Sequence, residues 1–159
     1  MISLTCRELT FSYSSRSPSV FDRNSFRFDE GITLLKGYSG CGKTTLSNLL
    51  LGLDQAVTGD IQYLGKSFNT FNAKDWKRYR KSVQVVFQNP YSSLNPKMRI
   101  GQIIKEPMDI HNIHHKDDRR SAVIELLAKV GLPADSYGRL PAQFSGGQRQ
   151  RIVIARALA

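Results

Sequence analysis

Short apolar runs alternate with glycine, serine and aspartate through the first half of the chain, and near residue 90 the pattern lengthens to helical spacing. Residues 4–13 partly alternate apolar and polar side chains, which predicts an edge strand. Phe26 and Phe28, on alternate positions, extend the β signal. Ile32-Thr33-Leu34-Leu35 and Val83-Gln84-Val85-Val86-Phe87 are short and predominantly apolar, as expected of strands buried in the middle of a sheet. A further strand is predicted over residues 61–64, opened by Gly59-Asp60. Leucines at 46, 49, 50 and 51 predict a buried helix ended by Gly52, and residues 72–80 a surface helix with Trp76 turned inward. Beyond residue 90, a helical segment over 100–105 should be interrupted or ended by Pro107. Residues 117–130 place Ala122, Val123, Leu126, Leu127 and Val130 on one helical face, with Asp117 and Asp118 at the start and Gly131 and Pro133 past the end. Ser145-Gly146-Gly147 opens a last helix running from Gln148 toward Ala159.

At 159 residues, 40% apolar and 23% charged, the composition is that of one soluble globular domain. No apolar run approaches the length of a membrane span, and Met1-Ile2-Ser3-Leu4 lacks the layout of a secretory signal. Cys6 and Cys41 are too few for a disulfide framework or metal cluster, which points to a reducing compartment. His111, His114 and His115 crowd one polar stretch with no completing Cys or acid, so a solvated linker is the expectation. The net charge of +10 admits an anionic partner, a solvated basic face around Lys74, Lys77, Arg78, Arg80 and Lys81, or an acidic complement outside this sequence.

The chemistry concentrates in Gly37-Tyr38-Ser39-Gly40-Cys41-Gly42-Lys43-Thr44-Thr45, which fits G-x-x-x-x-G-K-[ST] in full. Glycines let the main chain curl so that successive N–H groups face phosphate oxygens, and the following helix adds the positive end of its dipole. Lys43 supplies a point charge for β- and γ-phosphates, and the Thr44 hydroxyl can ligate Mg²⁺. The bland alternative is an ordinary strand–turn–helix connection; the preceding apolar run and following helix favour phosphate binding. Cys41 occupies a variable position of the motif, so a redox role is not expected.

A phosphate loop alone leaves kinases, GTPases and many ATPases open. Phe87-Gln88-Asn89-Pro90 follows with Gln88 45 residues after Lys43, and Phe144-Ser145-Gly146-Gly147-Gln148-Arg149-Gln150-Arg151 begins its Ser145 102 residues after it. This order and spacing resembles the nucleotide-binding subunit of ATP-binding cassette (ABC) transporters, with a Q-loop at Gln88 and a signature motif at Ser145. The stretch Phe87 to Pro96 (FQNPYSSLNP), with Ile100-Gly101, Glu106-Pro107 and Phe144, is similar to the subgroup serving dipeptide, oligopeptide and nickel importers.

The resemblance implies an α/β P-loop NTPase: an ABC-type ATPase core with an antiparallel β edge and a helical subdomain, C-terminally incomplete. It divides the chain into a nucleotide-binding core over 1–90, a helical subdomain over 91–147 and the start of a returning helix over 148–159. It implies ATP and Mg²⁺ as cofactors. Nucleotide would be held by Tyr13 stacking on adenine and by Gly37, Ser39, Gly40, Cys41, Gly42, Lys43, Thr44, Thr45 and Gln88, with Thr44 and Gln88 on the metal. Ser145, Gly146, Gly147 and Gln148 would close on the nucleotide of a partner cassette. Implied partners are that second ABC subunit, as homo- or heterodimer, transmembrane permease subunits and, indirectly, a solute-binding protein, with no direct nucleic acid. The implied location is cytoplasmic, peripheral on the inner face of the cell membrane.

The family's catalytic half, a hydrophobic strand ending in Asp followed by a Glu acting on water, has no counterpart here, so no catalytic base is assigned and turnover by this chain alone is not expected. Its absence should leave the apolar edges of 32–35 and 83–87 and the inner face of helix 46–51 exposed, and the isolated chain unstable. The leading expectation is an ATP-binding, transport-coupled subunit. The alternatives are a non-transport ABC-type ATPase acting on nucleic acid, and an inactive remnant of an interrupted gene.

Overall fold

Four strands and five α-helices follow one another in a computed structural model that describes residues 3–14, 16–89 and 93–159. They divide into two compact units, Met1–Val83 and Gln84–Ala159. The Pro90-Tyr91-Ser92 portion of the importer-like stretch lies outside the described residues.

In the first unit, β1 (Leu4–Phe11), β2 (Phe21–Phe28), β3 (Thr58–Tyr63) and β4 (Lys66–Ser67) form one antiparallel sheet in the order β2-β1-β3-β4. β1 is therefore interior, paired on both sides, and not the edge strand that its pattern predicts: Cys6 faces Phe26 on β2 and Ile61 on β3. Its imperfect alternation has a local cause. Register shifts on both ladders bracket Glu8, whose φ is +47°, so Cys6 and Leu9 both turn inward although three positions apart. The helix α1 (Lys43–Leu51) ends at Gly52, whose left-handed φ of +67° lets its N–H reach the carbonyls of Asn48 and Leu49. Leu46 and Leu49 of α1 join Cys6, Leu9, Phe11, Phe21 and Ile61 in the core. The expectation that the inner face of this helix is bare is thus corrected: the antiparallel sheet covers it.

α2 (Ala73–Ser82) is capped by Asn72, whose side chain accepts from the N–H groups of Lys74 and Asp75. Trp76 is half-buried, and the deeper residue is Tyr79, which packs on Phe68 and Tyr63 and donates its hydroxyl to the Leu50 carbonyl. Burial pushes the Tyr79 phenol well above its usual value.

Two predicted strands do not form. Residues 32–35 and 83–87 make no ladder, and Ile32, Leu34, Leu35, Val86 and Phe87 stand exposed, Leu34 at 73%. The physical reason is that a strand exists only through hydrogen bonds to its neighbours, and among the described residues no strand lies alongside either run.

In the second unit, α3 (Ile100–His111), α4 (Arg119–Lys129) and α5 (Gly146–Ala157) pack around Ile103, Ile104, Met108, Val123, Leu127, Ile152 and Val153. α3 runs through Pro107 to a left-handed cap at Asn112, correcting the break expected there. Pro107 forfeits one backbone donor, but Ile100, Ile103, Ile104 and Met108 are almost fully buried, and each such side chain contributes about 1.5–3 kcal/mol. Burial outweighs the lost bond. Arg119, 7% exposed, closes the α3–α4 connection by donating to Asp109 Oδ1 at 2.6 Å and to the Ile113 carbonyl at 3.0 Å.

Candidate functional site

The phosphate-loop motif occupies an exposed turn that runs directly into α1. Gly42 is the N-cap, with φ of +97° and no side chain to offer, so nothing caps the first-turn N–H groups from within the residue that begins the helix. A β-carbon there would lie 2.8 Å from Val20 Cγ1 and 3.1 Å from Phe21 Cζ, so both the backbone angle and the space require glycine. Gly37 is confined by space alone, since a β-carbon would collide with the Cys41 Sγ.

Lys43 folds back across the loop. Its ammonium donates to the carbonyls of Gly37 and Tyr38, each at 2.7 Å, and sits 3.6 Å from Cys41 Sγ. One cation is thereby held against two main-chain carbonyls of the loop, beside the positive end of a helix dipole. Thr44 and Ser39 are exposed at the rim, whereas Thr45 is buried and its Oγ1 lies 2.7 Å from the Tyr13 hydroxyl. That contact joins residues 32 apart and stands the Tyr13 ring, 67% exposed, edge-on to Phe11 beside the loop. A cavity of about 250 Å³ adjoins the same turn, with Val20, Phe21 and Phe26 on one wall and Cys41, Gly42 and Lys43 on the other. Val20 and Phe21 are the residues that sequence reasoning missed; their only signal is an apolar pair at the start of an otherwise polar strand, which marks core as readily as a site.

This set suits a polyphosphate. A loop of main-chain donors, an uncapped helix start and one ammonium are the elements that bind such an anion. For a metal, no group of three or more His, Cys, Asp or Glu is placed to hold one among the described residues. The exposed Thr44 hydroxyl fits the alternative arrangement, in which Mg²⁺ takes most of its ligands from phosphates and water. Cys6 belongs to the core, where burial and then Asp60 push its thiol up to about 11.

In the second unit, Gln88 lies exposed at a bend outside any helix or strand. Ser145 caps α5: its Oγ accepts from the Gln148 N–H at 3.3 Å, and Gln148 Oε1 accepts from the Ser145 N–H at 2.9 Å. Arg149 Nε braces this turn by donating to the carbonyls of Pro141 and Phe144, at 2.9 and 3.0 Å. The Arg139 guanidinium covers the Phe144 ring at 4.4 Å. Ser145, Gly147 and Gln148 remain exposed at the positive end of a twelve-residue helix. The Ser145 cap uses one acceptor lone pair and leaves the O–H donor for another oxygen.

The family model described as ABC transporter matches residues 21–159. The chain belongs to the ABC transporter family. Among curated relatives it is 44% identical to the dipeptide transport ATP-binding protein DppF of Escherichia coli over 144 residues, 90% of this chain and 43% of that protein. It is 47% identical to the oligopeptide transport ATP-binding protein OppF of Haemophilus influenzae, over 84% of this chain and 41% of that protein. The chain thus spans less than half the length of these ABC relatives. Among solved structures, cbiO1 of Clostridium perfringens, part of the ABC transporter complex cbiONQ, superposes with a TM-score of 0.81 at 24% identity, over 98% of this chain and 60% of that one. A dimeric ATP-binding cassette bound to ADP and Pi in a post-hydrolysis state gives 0.80, also at 24% identity, over 98% of this chain and 69% of that one. Both establish the ABC ATPase fold. Among the described residues, no helix is long and apolar enough to cross a membrane.

Proposed function

We propose that this chain is the nucleotide-gripping part of the ATP-binding subunit of a peptide importer, working at the cytoplasmic face of a membrane against permease subunits. The observation that carries the reading is the Lys43 ammonium, held within the curl of the phosphate loop at the uncapped start of α1. The names of the relatives, dipeptide and oligopeptide transport ATP-binding proteins, support the peptide class over nickel.

In this reading main-chain N–H groups of residues 40–45 enclose the β- and γ-phosphates, and Lys43 turns from loop carbonyls toward their oxygens. Tyr13, tied to Thr45, offers its ring to adenine. Mg²⁺, with Thr44 as a protein ligand, would offset phosphate charge. The Ser145 O–H and the Gly147 N–H, at the start of α5, address the γ-phosphate on a second ABC subunit. Their work is orientation and electrostatic stabilisation of an in-line attack by water; no residue of this chain is proposed as the general base.

The test uses the intact protein assembled with its permease subunits in vesicles. ATP hydrolysis should rise several-fold when a binding protein loaded with di- or oligopeptide is added. Hydrolysis indifferent to peptide but stimulated by DNA, with the steep salt dependence of phosphate contacts, would overturn the transport reading.

A further inference from the structure

We propose that the outer face of α2 and the tip of the β3–β4 hairpin form one docking surface for the anionic headgroups of a phospholipid bilayer. Lys74, Lys77, Arg78 and Lys81 fall at i, i+3, i+4 and i+7 of α2 and so lie on one face, all exposed. Which face points outward is set from behind. Trp76 and Tyr79 occupy the other side of the helix and are locked to Phe68, at ring separations of 5.0 and 4.9 Å. The one acid in α2, Asp75, is engaged elsewhere: it accepts from Lys66 Nζ at 2.7 Å and from the Asn72 N–H at 2.9 Å, and Lys66 holds its carboxyl below the usual range. Among the described residues, no carboxylate lies within ion-pair distance of the four stripe cations.

The hairpin adds a second, apolar element. Leu64 and Gly65 both have positive φ, +52° and +79°, the conformation of a tight two-residue hairpin turn in which asparagine and glycine are usual and leucine is not. Leu64 is 46% exposed at that tip. It shares the wall of a shallow cavity of about 230 Å³ with Arg78 and with the Lys66–Asp75 pair, so the aliphatic tip adjoins one end of the cationic stripe. The combination suits a lipid surface, where cations meet headgroups and one aliphatic side chain reaches below them. A nucleic-acid face would want aromatic or amide side chains among the cations to stack on or read bases, and here both helix aromatics are turned inward.

The inference rests on the importer reading only in taking the protein to work beside a membrane. Intact protein is sedimented with vesicles of phosphatidylcholine, either pure or containing about one-third phosphatidylglycerol. Wild type should partition to the anionic vesicles alone and be released by salt. Changing Lys74→Gln, Lys77→Gln and Lys81→Gln together should weaken partitioning by about tenfold or more. The control Lys97→Gln, Lys116→Gln and Lys129→Gln, with the same loss of charge at exposed positions, should cost less than about twofold. Leu64→Asn, which suits the turn, should reduce partitioning roughly threefold. No partitioning by wild type, an equal loss in the control, or a stripe variant that loses a short DNA duplex but keeps the vesicles would each overturn the proposal. ADP binding is measured on the same samples: intact ADP binding without partitioning refutes the docking surface alone, and absent ADP binding refutes the nucleotide reading.

Discussion

Replacing Lys43 with alanine in the intact protein is expected to weaken ATP binding by at least about 100-fold, close to 3 kcal/mol at the usual conversion of 1.4 kcal/mol per factor of ten. Two effects combine. The variant removes a charge-assisted bond to phosphate, among the stronger single contacts available to a protein. It also removes the donor that orders the Gly37 and Tyr38 carbonyls before nucleotide binds, so the loop is less pre-organised. Lys43→Arg should restore little, because a broad planar fork does not fit where a compact ammonium is to reach phosphate oxygens from within the loop. Calorimetric titration with MgATP reads the result, and a change smaller than threefold would remove Lys43 from the account.

Ser145→Asp should separate the two tasks of that side chain. Aspartate is as good an N-cap as serine, so the thermal midpoint of the intact protein should shift little, and binding of nucleotide to its own phosphate loop should hold. Turnover should fall by about two orders of magnitude, because a carboxylate would stand where the hydroxyl is to meet a γ-phosphate on the partner, replacing attraction by repulsion in a water-poor site. Steady-state hydrolysis beside a melting curve checks both halves. Unimpaired hydrolysis would confine Ser145 to capping α5.

The legible parts of this chain are those whose cause is local. Leucine spacing and Gly52 carry α1, and the apolar face from Ala122 to Val130 carries α4. The Ser145–Gln148 pair spells a capping box and starts α5. The phosphate loop is equally local, since its glycines, lysine and helix are contiguous. What the pattern hides is pairing. Nothing in residues 4–11 says that the strand is flanked on both sides, because its partners come from 21–28 and 58–63. Residues 32–35 and 83–87 read as buried strands because composition records where side chains prefer to be, whereas a ladder needs another strand to bond. Pro107 misleads for a related reason: the rule that it ends helices is local, and the burial of Ile103, Ile104 and Met108 that overrides it is tertiary. The bond between Tyr13 and Thr45 is invisible in sequence, although it ties the ring to the loop's helix.

A comparison of ATP, ADP and AMP by calorimetry on the intact protein in Mg²⁺ tests the central claim most directly, since the grip is on the phosphate tail and not on the base. One nucleotide should bind per chain, with AMP weaker than ADP or ATP by about tenfold or more, the worth of a few charge-assisted bonds to the β-phosphate. AMP binding as tightly as ATP, or no saturable binding of any of the three, would contradict the account.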